Sequence, residues 1–114
     1  MDKNHFSRAI GNVIKNAIQS IPPEQQGVIK IYLMDTGHQV QICVEDNGTG
    51  IAPETEHLIF IPNFSSKSSG SGIGLSTTKT MIETAGGRIY FHTRAGAGTR
   101  FYIEFPPQDP VNLS

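Results

Sequence analysis

Three groups of residues in this chain have types and spacings suited to chemistry. The first is Val44-Glu45-Asp46-Asn47-Gly48-Thr49-Gly50-Ile51, where an acid ending a β-branched run is followed by glycines two and four places on. Glycines permit positive φ and let the backbone come close to a group that a Cβ would hold away. Asp46 can then accept a hydrogen bond from a ring or exocyclic N–H, as adenine offers, while Gly48 and Gly50 leave room for the flat base. The same residues also suit a strand leaving through an Asx turn, so the stretch decides nothing alone. The second group is Asn12 and Asn16, one helical turn apart. Asparagine is a mediocre helix former, and this pair suits either amide oxygens reaching a ligand or a hard cation, or a solvated face. The third is Ser65-Ser66-Lys67-Ser68-Ser69-Gly70-Ser71-Gly72-Ile73-Gly74-Leu75, which opens into a helical pattern. Unpaired backbone N–H groups and the helix dipole would make an anion site there, with Lys67 adding charge; a flexible linker before an ordinary helix is the alternative. It is not a P-loop, because no Gly-Lys-Ser/Thr follows.

The elements that must hold these residues are legible in the hydrophobic periodicity. From Asp2 to Ile21, apolar side chains at Phe6, Ala9, Ile10, Val13, Ile14, Ala17, Ile18 and Ile21 predict a helix that Pro22-Pro23 stops. Val28, Ile29, Ile31 and Leu33 predict a strand, and Val40, Ile42 and Val44 a second one paired with it as a hairpin. That hairpin delivers Asp46 at its exit. Its apolar face is expected to lie under the first helix. Ala52-Pro53-Glu54 opens a short helix running to Phe60, and the serine-glycine run behind it reads as a mobile loop. Leu75, Thr78, Met81, Ile82 and Ala85 predict another helix, stopped by Gly86-Gly87. Arg88 to Thr93 and Thr99 to Phe105 alternate as strands around the hairpin loop Arg94-Ala95-Gly96-Ala97-Gly98; Pro106-Pro107 ends them. The expected domain is 1–107, with a frayed tail over 108–114.

Composition narrows the function classes. The 114 residues suit one small domain, and nine basic against ten acidic residues provide no broad field for nucleic acid or an anionic membrane. Phosphate binding, if any, must be local. The one cysteine, Cys43, lies inside an apolar alternation, which excludes an internal disulfide and reads as a core residue. No run approaches the length of a membrane span and the N-terminus has no signal-peptide core, so a cytosolic setting is expected, with a membrane-anchored parent allowed.

The order of these motifs is distinctive: an Asn-bearing helix, Asp-x-Gly-x-Gly at a strand end, Phe60-x-Pro62-x-Phe64, a serine loop, Gly70-x-Gly72-x-Gly74 opening a helix, then Gly96-Ala97-Gly98-Thr99. From Asp2 to Pro107 the chain resembles the ATP-binding catalytic domain of bacterial two-component sensor histidine kinases, in the superfamily of gyrase, Hsp90 and MutL. The resemblance implies that Asn12 to Ala17 form the N box, with Asn16 on Mg²⁺ and Asn12 near the phosphates of ATP. It implies that Asp46 bonds the adenine amine, that Gly48, Gly50 and Ile51 shape the base pocket, and that Phe60 and Phe64 form the F box. Ser65 to Gly72 would be the ATP lid, with Lys67, Gly70, Gly72, Gly74 and Leu75 against the nucleotide. Thr99 would support the carboxylate through a water. Asn12, Lys15 and Lys67 would be the catalytic side chains.

One position separates branches of the superfamily. The ATPases, and similarly the anti-sigma-factor serine kinases, carry a Glu one turn before the metal-binding Asn. Here that place is Asn12, which cannot act as a base. The expected function is therefore binding of Mg-ATP and delivery of its γ-phosphoryl group to a histidine on a separate dimerisation domain, with a response regulator reached through the parent. A non-catalytic nucleotide-binding regulatory module or a serine kinase is the alternative. Ile61 and Asn63 depart from the acid and the aromatic usual around the F box, and none of His5, His38, His57 and His92 has the flanking residues of a phospho-acceptor. The expected architecture is a two-layer α/β sandwich of Bergerat type, a mixed sheet of about five strands covered on one face by about three helices. The isolated chain is expected to be monomeric.

Overall fold

The computed structural model describes residues 3–61 and 74–106. In chain order these form helix α1 (Lys3–Gln19), strands β1 (Ile29–Asp35) and β2 (Val40–Asp46), a 3-10 helix (Pro53–Leu58), helix α2 (Gly74–Thr84), and strands β3 (Arg88–Arg94) and β4 (Gly98–Phe105). Among the described residues the sheet has four strands in the order β1-β2-β4-β3, and every pair is antiparallel. The two-layer sandwich is present. The count of about five strands and the mixed sheet are corrected: the four apolar alternations account for all the strands described, and the hairpin connections β1–β2 and β3–β4 make those pairs antiparallel, as β2 and β4 also are. The short helix expected after Ala52 is present as a 3-10 helix with Pro53 in its first turn.

Every fourth residue of α1, Ala9, Val13 and Ala17, is fully buried, and two of the three are alanines, so the helix axis lies close over the sheet. Val44, Phe101 and Ile103 meet it from β2 and β4, and Ile82 meets it from α2. Burying a side chain of this size contributes about 1.5–3 kcal/mol. Phe60, Phe91 and Phe101 continue the core as a chain of tilted rings 6.0 and 5.7 Å apart.

Helix α1 packs on β2 and α2 on β3. Two helices about 10 Å apart cover three strands spaced about 4.8 Å, which leaves β1 bare. Ile31 is 53% exposed and Leu33 is 72% exposed, on the face expected to lie under the first helix. The alternation in β1 therefore reports strand formation but not burial, a further correction to the sequence reading.

The outer sheet face is polar and built around Glu104. Its carboxylate accepts hydrogen bonds from Arg88 Nε at 2.6 Å, the Tyr90 hydroxyl at 2.6 Å and Gln41 Nε2 at 2.7 Å. Tyr90 stacks on Tyr102 at 5.0 Å, and His92 meets both rings edge-on. The Tyr90 hydroxyl above all, with Arg88 and Gln41, holds the Glu104 carboxyl below its ordinary value of 4.5, against the opposite push of burial. A depressed native value stabilises the fold fully above the unfolded value, and that contribution disappears as pH falls through the native one. Denaturant melts from about pH 6 to about pH 3 should therefore show a steep loss of stability below 4.5, with Glu104→Gln giving a flatter profile. Equal slopes for the two proteins would remove Glu104 as a source of acid lability.

Candidate functional site

Asp46 is the last residue of β2, opposite Thr99 of β4, and only 4% exposed. Its Oδ1 accepts a hydrogen bond from Gly48 N–H at 2.8 Å. The Asx turn that the sequence allowed is thus formed, and it fixes the buried carboxylate in one orientation. The loop that follows is clamped from two sides. Thr49 N–H donates to the Ser20 carbonyl at the end of α1 (3.1 Å), while Gly96 N–H of the β3–β4 hairpin donates to the Thr49 carbonyl (2.6 Å). Asn47 ties the loop to the turn after α1, its Oδ1 accepting from Val28 N–H at 2.9 Å and its Nδ2 donating to the Gln26 carbonyl at 3.1 Å.

Gly48 and Gly50 have a reason to be glycine that sequence reasoning did not see. A Cβ on Gly48 would run into Ser20, and one on Gly50, where φ is +74°, would run into the Arg94 carbonyl. Gly98, at φ +126°, abuts the Asp46 carbonyl in the same way. Three backbone segments meet at the strand exit, with the Ser20 hydroxyl beside Gly48. Gly74 differs: nothing among the described residues lies within 4 Å of where its Cβ would stand.

Thr93 is the residue that sequence reasoning missed. Its hydroxyl accepts from Ile51 N–H at 2.8 Å, lies 2.9 Å from Thr99 Oγ1 and 3.2 Å from the Gly98 carbonyl. One threonine thus joins the loop after Asp46 to the residue facing Asp46. The available signal was its register: Thr93 is the cross-strand partner of Thr99.

Along α1, Asn16 stands one turn and Asn12 two turns before Ser20, about 6 and 12 Å from it along the axis. Asn12 faces α2. Its Nδ2 donates to Thr78 Oγ1 at 3.0 Å, and Thr78 Oγ1 donates to the Gly74 carbonyl at 2.8 Å in the first turn of α2. Lys15 is exposed, and Ile51 and Leu75 are half-buried against the core. Phe60 carries Lys79 over its ring at 5.2 Å. Phe64, Lys67, Gly70 and Gly72, with the expected loop, lie outside the described residues. The structure therefore brings Asp46, Gly48, Gly50 and Thr99 together at one end of α1, and Asn12 with Gly74 further along it.

This arrangement fits a nucleotide in its donor chemistry. A purine amine needs a fixed acceptor, and a carboxylate retains acceptor capacity beyond one turn bond. Among the described residues no group of three or more His, Cys, Asp or Glu could hold a metal ion. Magnesium is commonly held by one or two protein oxygens, with the remainder from phosphates and water, so the amide oxygen of Asn16 suits an ion arriving with phosphates. Residues 1–109 match the family described as histidine kinase-, DNA gyrase B-, and HSP90-like ATPase. The chain belongs to this family. Among relatives of this ATPase domain, it is 36% identical over 105 residues to the sensor histidine kinase ZraS of Escherichia coli O157:H7, covering 92% of the chain and 22% of ZraS. It is 34% identical to sporulation kinase A of Bacillus subtilis (strain 168), again over 92% of the chain and 17% of that kinase. The chain thus spans about a fifth of the length of these relatives. The solved catalytic domain of histidine kinase ThkA, in a nucleotide-free form, superposes with a TM-score of 0.79 at 33% identity, covering 92% of this chain and 68% of that one. Among the described residues no helix is long and apolar enough to cross a membrane.

Proposed function

We propose that this histidine kinase-like ATPase domain binds Mg-ATP and serves transfer of the γ-phosphoryl group to a histidine on a separate dimerisation domain of a cytoplasmic kinase module, which then passes it to a response regulator. The observation that carries the reading is the buried Asp46 carboxylate, oriented by Gly48 N–H at a strand exit that α1 and the β3–β4 hairpin clamp from either side. Bound Mg-ATP supplies the phosphoryl group and the charge neutralisation of the metal. The chain's part is positioning, which provides most of the catalysis in this reaction class. Asp46 accepts from the adenine amine, with Thr93 and Thr99 bracing the pocket wall beside it. The Asn16 amide oxygen is the metal ligand, and Asn12 with the first turn of α2 lies toward the phosphates. Lys15 and Lys67 are the cations proposed to offset phosphate charge. An amide at position 12 cannot take a proton from water, so the domain holds its nucleotide without rapid hydrolysis.

Calorimetric titration with ATP, with and without Mg²⁺, tests the binding half. Asn16→Ala should remove most of the gain in affinity that Mg²⁺ gives and leave metal-free binding nearly unchanged. Transfer is tested by adding a dimerisation domain from a sensor kinase and labelled ATP, with label expected on its histidine. Indifference to purine nucleotides, or brisk turnover by the chain alone, would overturn the reading; label on a serine of a small partner would favour the anti-sigma-factor alternative.

A further inference from the structure

Thr78 was read from the sequence only as one position of a helix stripe. In the structure it is fully buried, and its hydroxyl links the side chain of Asn12 on α1 to the backbone of Gly74 in the first turn of α2. We propose that Thr78 is a positioning residue for Mg-ATP: by accepting from Asn12 Nδ2 and donating to the Gly74 carbonyl, it sets the plane of the Asn12 amide relative to the helix start behind the glycine run. The inference rests on the nucleotide reading given above and deepens it.

The chemistry is directional. An amide has two N–H donors on one atom and an acceptor oxygen on the other, and the two ends are nearly equal in shape, so packing alone does not choose between them. A hydroxyl that has already given its proton to a backbone carbonyl can only accept, and so it selects the Nδ2 end of Asn12. That choice decides where the second Nδ2 hydrogen and Oδ1 point. Whatever Asn12 meets on its far side, donor or acceptor, a flipped amide would present the opposite kind of atom to it. The same hydroxyl bond holds α1 and α2 at one separation, because Thr78 is rigid at χ1 and sits in a helix where its Oγ1 can reach the carbonyl four residues back.

The test compares wild-type protein with Thr78→Val, which keeps the shape and removes the hydroxyl, and Thr78→Ser, which keeps the hydroxyl and removes the methyl. Thr78→Val should weaken Mg-ATP binding roughly tenfold, the size of one misdirected hydrogen bond, whereas Thr78→Ser should stay within about threefold of wild type. In a double-mutant cycle, Thr78→Val should add little to the loss already caused by Asn12→Ala. A readout without nucleotide comes from NMR: the side-chain amide protons of Asn12 should exchange slowly with water in wild type and Thr78→Ser, and quickly in Thr78→Val. Equal affinity of Thr78→Val and wild type, equal losses for Val and Ser, additive losses in the cycle, or unchanged exchange of the Asn12 amide would each overturn the inference while leaving the nucleotide reading intact. A wild-type chain that ignores Mg-ATP would overturn that reading, and the inference with it.

Discussion

Asp46→Ala should lower the affinity for ATP by about a hundredfold or more, the largest functional effect expected of any single substitution. Two hydrogen bonds are lost together. One is the bond proposed between the carboxylate and the purine amine, worth about 1.5–3 kcal/mol when water is excluded. The other is the internal bond from Gly48 N–H, without which the strand exit loses the turn that aims the pocket. Asp46→Asn separates the two contributions. Its side-chain oxygen can still accept from Gly48 N–H and keep the turn, but the remaining nitrogen is a donor and meets a donor on adenine. We expect Asp46→Asn to melt near the wild-type temperature and still bind ATP poorly. Calorimetry on both variants, with circular dichroism melts beside it, makes the comparison. Unchanged affinity of Asp46→Ala would remove the adenine assignment.

Gly98→Ala should be the most damaging conservative change to the fold. At φ +126° an L side chain is already strained by about 1–3 kcal/mol, and the added Cβ would also press on the Asp46 carbonyl and, at 3.1 Å, on the Asn47 Cα. Neither neighbour can rotate away, because both are backbone. A loss of about 3 kcal/mol or more follows, which for a domain of this size lowers the melting temperature on the order of 10–20 °C. Gly96→Ala is the matched control. Gly96 has a similarly left-handed φ of +82° but nothing within 4 Å of its Cβ position, so only the strain of about 1 kcal/mol applies. If the two variants melt together, the contact with Asp46 is not what makes glycine necessary at position 98.

Much of this was legible in the sequence because periodicity reports which residues share a face. The stripe from Phe6 to Ile18 placed α1 within a few residues of its observed ends, and Pro22-Pro23 marked its limit. The same logic misjudged β1, since Ile31 and Leu33 alternate as a buried strand does while lying beyond the reach of the two helices. Alternation shows which side chains are coplanar, and only the covering layer decides which are dry. In the site, Asp46 and Thr99 stood out through the order of the motifs around them, since an acid at a strand exit also suits a plain Asx turn. Thr93 and Thr78 did not stand out: each looks like an ordinary strand or helix residue until its hydroxyl is seen bridging elements 42 residues (Thr93 to Ile51) or 66 residues (Thr78 to Asn12) away in the chain. The glycines carry a second demand that their spacing did not show. Their spacing pointed to a ligand, whereas at Gly48 and Gly50 the closest demand comes from Ser20 and Arg94.

That crowding of main chains at the exit of β2 bears on how the pocket could be re-engineered. A wall made mostly of peptide units has few rotamers to re-sort, so its outline is set largely by hydrogen-bonded geometry and yields little to changes in nearby side chains. On the proposed reading, altering which base is accepted would proceed through the few side chains at this exit, Asp46, Ile51, Thr93 and Thr99, and libraries that randomise the glycines would mostly return chains that do not fold.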